Sequence, residues 1–489
     1  MTLYEAIEGL TQYAVDSNLI NELDRVYCRN RVLDTLNLLN VDSVDISSTN
    51  HFDCLKVLVD YAADQGIIES NKPPYSDLFE SKVMDIFMPK PSEIIRQFNS
   101  KMKVSPEEAT DYYYDLSKKS HYIRLDRTSK NMLWQVDTSY GVVDISVNLS
   151  KPEKDPKAIA AALNKVENNY PKCLLCKENE GYSGHVNHPG RHNHRIVPMM
   201  LQNEEWFLQY SPYAYFNEHS IILKTSHENM VISHKTFSRL LDFIDLMPHY
   251  FIGSNADLPL VGGSLLTHDH YQCGKNEFAM EKATVIGAFM IDGVQVEHLK
   301  WPLSVLRISD RDRSKVEAVA CRIFDAWMTY DDKELNIKAF TGDVRHNTVT
   351  PIARMKNDIY QLDLVLRNNR TDDKYPTGIF HPHPEVHPVK KENIGLIEVM
   401  GLAVLPSRLV EEMNMLTNHI VSNTLLDDNK FDYILTKIEE KITSKDQEHV
   451  YETVRQVIGE VFVRGLEDSG VYKQNEEGYI GLSKFVKTL

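Results

Sequence analysis

Residues 262–272, Gly262-Gly263-Ser264-Leu265-Leu266-Thr267-His268-Asp269-His270-Tyr271-Gln272, constrain this chain more than any other stretch of it. The paired glycines permit close backbone approach, and the residues around them read as a strand predicted over 259–272. Successive strand side chains point to opposite faces, so residues 268, 270 and 272 would line one wall with two imidazoles and a carboxamide. That is the arrangement of a site; the plainer alternative is a polar strand end. A neutral imidazole can attack phosphorus and form a phospho-histidine if a hydrogen bond to its other nitrogen fixes the tautomer. His270, between two polar neighbours, is best placed to do so.

Around this segment the pattern is mixed. Apolar positions at helical spacing open the chain (Leu3, Ile7, Leu10, Ala14, then Leu19, Leu23, Val26), and further helices are predicted near 53–64, 76–87, 91–102 and 106–118. Gly141 to Leu149 alternates as a strand, followed by a polar connection over 150–156 and a helix from Lys157. Strands are predicted at 205–210, 219–225 and 283–291, with helices at 235–248 and 314–329, and the last 80 or so residues return to amphipathic helix. The expected organisation is a mostly helical region 1–135, an α+β half 136–300 carrying the active strand, a second α+β half 301–406, and a helical region 407–489. With 489 residues the chain can bury a large core. A net charge of −16 and the lack of any basic tract argue against nucleic acid or a membrane surface as partner. No apolar run approaches the length of a membrane span, and the expected location is cytoplasmic.

Six cysteines, four of them scattered, do not suit a secreted disulfide framework. Cys173 and Cys176 form a C-x-x-C pair with zinc-ligand spacing, and His227 and His268 would flank the same sheet and complete a tetrahedron; a packed pair of thiols is the alternative. A rival cluster, His381-Pro382-His383-Pro384-Glu385-Val386-His387, has prolines that oppose a central strand and reads as a surface turn or accessory metal site. Lys390 and Lys391 stand at the start of an apolar stretch predicted as a strand, and could neutralise a phosphate or simply be solvated. The turn Arg191-His192-Asn193-His194-Arg195 is a similar choice between a diphosphate grip and a loop.

These segments, together with Asn148 to Pro156, Phe278 to Ala283, His346 to Arg354 and Lys390 to Pro406, resemble the class II galactose-1-phosphate uridylyltransferases of the histidine-triad superfamily over nearly the whole length. The resemblance implies an α+β fold with a histidine-triad-like antiparallel sheet core in two related halves, and transfer of uridylyl from UDP-glucose to galactose 1-phosphate through a covalent uridylyl-histidine. It implies His270 as nucleophile. By similarity to class I enzymes, which carry His-Pro-His-x-Gln, it implies Gln272 as the residue holding a phosphoryl oxygen, and a zinc held by Cys173, Cys176, His227 and His268. His381 and His383 fall near a second class I metal site. Candidate cations for the diphosphate are Arg195, Lys275, Lys282, Lys390 and Lys391. Cys273 stands where the pattern has glycine, which bears on how closely backbone can approach there. A homodimer is left open. Two other readings compete: a histidine-triad nucleotide hydrolase, whose third residue would be histidine, and a non-catalytic UDP-sugar binding protein.

Overall fold

The computed structural model describes residues 1–46, 48–149, 170–263, 265–424, 426 and 429–489. The predicted connection over 150–156, the helix from Lys157 and the side chain of Ser264 lie outside these residues.

Among the described residues, seven α-helices between Leu3 and Thr128 form the N-terminal region. Their starts follow from local chemistry: Thr2 and Glu5 form a reciprocal cap on Leu3–Asp16, and Ser105 accepts from Glu108 N ahead of Pro106 in Pro106–Lys119. The described residues that follow contain fifteen strands: β1 Met132–Thr138, β2 Gly141–Asn148, β3 Val197–Leu201, β4 Glu204–Tyr210, β5 Ser220–Lys224, β6 Phe251–Gly253, β7 His270–Gly274, β8 Val285–Ile291, β9 Val294–Leu299, β10 Val305–Asp310, β11 Phe340–Thr341, β12 Val344–Arg345, β13 Asn347–Lys356, β14 Ile359–Asn368 and β15 Leu402–Pro406. Ten of them make one sheet in the order β3-β4-β5-β7-β6-β13-β14-β10-β9-β8, antiparallel at every pairing.

That order is a repeat. Each half runs through a three-strand meander, a helix (His234–Leu246 or Arg313–Met328), and a strand pair whose second member inserts beside the third strand of the meander. The halves join where β6 meets β13, pairing Gly253 with Ile352 and Ile252 with Ala353. β8 and β9, before residue 301, hydrogen-bond through β10 and so complete the second half. The fold is thus α+β with an antiparallel core in two related halves.

The sheet is covered on both faces. On one, the helices His234–Leu246 and Arg313–Met328 bury Phe237, Leu240, Ile244, Val319, Ile323 and Trp327 in a core shared with the N-terminal helices. On the other, a second core contains the small sheet β1-β2-β15, in which β15 runs parallel to β2, and the helices Arg408–Ser422, Asp432–Glu439 and Gln447–Ser469. No helix among the described residues is long and apolar enough to cross a membrane.

Two predicted strands are corrected. The strand expected over 259–272 begins only at His270; the described residues before it form a turn and loop, where a Cβ at Gly262 would lie 2.2 Å from Ala256 O and the chain packs tightly back on itself. The stretch after Lys390 is a short helix, Leu396–Val399, before β15 begins, with Gly395 N donating to Glu398 Oε2 at 3.1 Å to close its first turn.

Candidate active site and metal-ligand cluster

Strand β7 alternates as its sequence demands. Tyr271 and Cys273 enter the core beneath the helices, where Tyr271 stacks on Trp206 at 5.0 Å and approaches Arg239 of His234–Leu246. His270 and Gln272 face the other layer and line a cavity of about 520 Å³. Tyr215, Asn255, Gly263, Lys390, Asn393 and Glu398 also line it. Asn255 organises its rim: its Oδ1 accepts from Leu396 N at 2.8 Å, and a Cβ on Gly263 would meet its Nδ2 at 2.7 Å. The paired glycines therefore serve the close approach their sequence suggested.

His268 does not share the wall with His270, because the strand starts after it. It turns toward Cys173, Cys176 and His227, and the four donor atoms all lie within 4.8 Å of one another. Cys173 Sγ is 3.5 Å from Cys176 Sγ and 3.2 Å from His268 Nδ1; Cys176 Sγ is 3.2 Å from His227 Nδ1 and 3.7 Å from His268 Nδ1. A tetrahedral zinc with two thiolates and two imidazoles has donor–donor edges of roughly 3.4–3.8 Å, so the set fits a metal ion of that kind. His268 Nε2 is 2.8 Å from the Lys224 carbonyl, which can only accept, so the proton sits there and Nδ1 is free to ligate. Burial pushes the Cys173 thiol up to about 12 in the absence of an ion, and a bound cation would reverse this.

The same residue sets the orientation of His270. The His268 carbonyl accepts from His270 Nδ1 at 2.8 Å, which fixes the His270 proton on Nδ1 and leaves the lone pair on Nε2. Burial pulls the His270 imidazole down to about 4, so it is neutral near pH 7. Gln272 is partly exposed to the cavity, and its Oε1 lies 3.3 Å from His219 Nε2.

Of the five candidate cations, the cavity takes one. Lys390 Nζ is 2.7 Å from Glu398 Oε1, and both are buried in its wall. Arg195 instead ties the N-terminal helices to the sheet, donating to Asp85 at 2.8 Å and to the carbonyls of Pro89, His192 and His194. Lys275 and Lys391 are exposed outside the lining, and Lys282 pairs on the surface with Glu277 at 2.8 Å. The rival cluster is not a surface turn at its start: His381 is buried with Nε2 3.3 Å from Asn393 Oδ1, while His383, Glu385 and Asp468 bring donor atoms within 4.8 Å of one another.

Cys273 points away from the cavity, with its thiol 3.2 Å from Ser220 Oγ. Close approach is provided one residue later: Gly274 has φ +153°, and a Cβ there would fall 2.5 Å from Glu218 O. Sequence reasoning assigned no role to Tyr215, Asn255, Asn393, Glu398 or His219; Asn393 and Glu398 lie within the Lys390 to Pro406 segment, and the other three belong to no motif.

A model described as the N-terminal domain of galactose-1-phosphate uridyl transferase matches residues 18–229, and its C-terminal-domain counterpart matches residues 243–431. The galactose-1-phosphate uridylyltransferase of Bacillus subtilis (strain 168) is 47% identical, covering 100% of this chain and 98% of that protein. The enzyme of the same name from Halalkalibacterium halodurans is 47% identical, covering 99% and 98%. Among solved structures, yeast Ap4A phosphorylase Apa2 aligns with a TM-score of 0.32 at 10% identity, covering 61% of this chain and 90% of that one.

Proposed function

The chain belongs to the galactose-1-phosphate uridyl transferase family, and from that premise we propose that it moves uridylyl from UDP-glucose to galactose 1-phosphate through a covalent uridylyl-His270. The observation that carries this reading is the His270 ring: neutral, with Nδ1–H held by the His268 carbonyl and Nε2 left as the nucleophile in a cavity wall.

In the first half-reaction the Nε2 lone pair attacks the α-phosphorus of UDP-glucose. The bond from that phosphorus to the bridging oxygen breaks, and glucose 1-phosphate leaves with the electron pair. In the second, a phosphate oxygen of galactose 1-phosphate attacks the same phosphorus, the P–N bond breaks, and the neutral imidazole returns with UDP-galactose. The leaving group is a phosphate monoester with a second pKa near ~6, a good anion at neutral pH, so no strong general acid is needed. What the site must supply is orientation and charge. Gln272 would donate an N–H to a phosphoryl oxygen as charge develops, and Lys390, held by Glu398, would face the diphosphate.

Cys173, Cys176, His227 and His268 would hold one zinc ion, whose contribution when bound is structural closure with all four positions filled by protein. The chain's own part is that His268 connects this cluster to the His270 proton through its carbonyl.

The test is a single incubation with UDP-glucose and galactose 1-phosphate. UDP-galactose and glucose 1-phosphate in equal amounts support the reading. Free UMP without UDP-galactose would point to a hydrolase, and UDP-glucose binding without either product to a non-catalytic binder.

A further inference from the structure

We propose that His219 is a positioning residue that fixes which end of the Gln272 carboxamide faces the transferred phosphoryl group. This rests on the role given to Gln272 above. A carboxamide has an accepting and a donating end, and only the NH₂ end stabilises a phosphoryl oxygen. An amide free to turn over would present the wrong end for part of the time.

Pairing of β5 with β7 sets Ser220 opposite Cys273 and Ile221 opposite Gln272, which brings the residue just before β5 alongside the Gln272 side chain. His219 Nε2 lies 3.3 Å from Gln272 Oε1. The ring has little freedom: it is buried, tilted against Phe216 at 4.5 Å and stacked on Tyr215 at 5.4 Å. Its backbone is held at both ends, with His219 N donating to Phe216 O at 3.2 Å and Ser211 N donating to His219 O at 2.8 Å.

Burial pulls the His219 imidazole down to about 4, so one proton serves two nitrogens. Nδ1 is buried without a hydrogen-bond partner among the described residues. A proton there would be a buried unsatisfied donor, whereas on Nε2 it is donated to Gln272 Oε1, so the second tautomer is favoured. With its oxygen held, Gln272 turns its NH₂ the other way. The imidazole thus acts through the carboxamide and need not touch substrate.

The test is a double-mutant cycle on the full-length protein, reading UDP-galactose formation and UDP-glucose affinity together. His219→Phe keeps the ring stack and removes the donor. Its expected effect is a loss on the order of 10-fold in kcat with affinity little changed, since misorientation at a reacting centre typically costs a factor of this order or more. In a Gln272→Ala background the same change should cost less than about 2-fold, because there is no amide left to orient. His219→Gln, which restores an N–H donor, should recover part of the rate. His219→Asn, too short to reach Gln272, runs the same cycle without the larger apolar replacement. Equal losses in both backgrounds, or no loss in either variant, would overturn the positioning role. A wild-type protein that forms no UDP-galactose would instead overturn the transferase reading beneath it.

Discussion

At the residue scale, His270 and Gln272 carry different burdens. In the proposed mechanism the imidazole would make and break the bond to phosphorus, while the carboxamide would only steady charge, so their loss should differ in kind. Gln272→Ala should slow both half-reactions by about 10²- to 10³-fold while barely moving UDP-glucose affinity, the usual cost of one preorganised donor. Gln272→His should raise the ratio of UMP released to UDP-galactose formed, since a second imidazole can pass protons to and from water; an unchanged ratio would mean that water exclusion, and not this side chain, sets the outcome. Both residues were legible in the sequence because their separation of two is a strand's own period. His219 and Asn255 were not, because each reaches the site through packing between distant segments that no local pattern records. Arg195 shows the same in reverse: its charge is legible in the sequence, but its partner Asp85, 110 residues away, is not.

At the element scale, the C-x-x-C turn and the start of β7 are coupled through His268, which offers Nδ1 to the cysteines, Nε2 to Lys224 O and its carbonyl to His270. Removing one ligand should therefore lower both metal content and catalysis. Purified protein is expected to hold one zinc per chain by elemental analysis, and Cys173→Ser to lose most of it together with several degrees of melting temperature, as structural zinc contributes to folding outright. Protein that is fully active and stable without zinc, or a Cys173→Ser variant with unchanged content, would count against this. The cluster was foreseen because two soft ligands three residues apart call for two more. The extent of the strand was not: the sequence pattern predicted 259–272, whereas the pairing with β5 begins only at His270. Likewise Lys390 to Gly401 is apolar enough for a strand, and it is Glu398, folding back on Gly395 N, that makes it a helix first.

At the scale of the whole molecule, the site depends on two halves forming one sheet, and the second half contains a charged knot that tests this. Asp363 of β14 is fully buried between Arg307 of β10 (2.7 and 3.0 Å) and Arg354 of β13 (2.8 Å). Burial alone would raise this carboxyl, but Arg354 and Arg307 outweigh it and hold it at about 2. Because the folded value lies below the ordinary ~3.9, its contribution to stability is present above about pH 4 and lost as pH falls toward 2. Asp363→Asn should cost about 3–5 kcal/mol at pH 7, since Arg307 loses its carboxylate partner and Arg354 keeps only a 3.7 Å contact with Glu281, and should flatten the fall in urea midpoint between pH 4 and 2 relative to wild type. The repeat of meander, helix and strand pair that frames this knot appears only in the pairing order; the sequence revealed two α+β stretches, but not that β6 and β13 would weld them into ten strands. All of this architecture serves one proposed event, and the measurement closest to it is a stoichiometric one. Protein is mixed with UDP-glucose labelled on the α-phosphorus, with no acceptor present, and the peptide that retains label is identified. The expected result is release of about one glucose 1-phosphate per chain, label on His270 alone, no label in His270→Asn, and discharge to UDP-galactose when galactose 1-phosphate is added. Transfer to galactose 1-phosphate with no labelled protein at any stage, or label that persists in His270→Asn, would contradict the account.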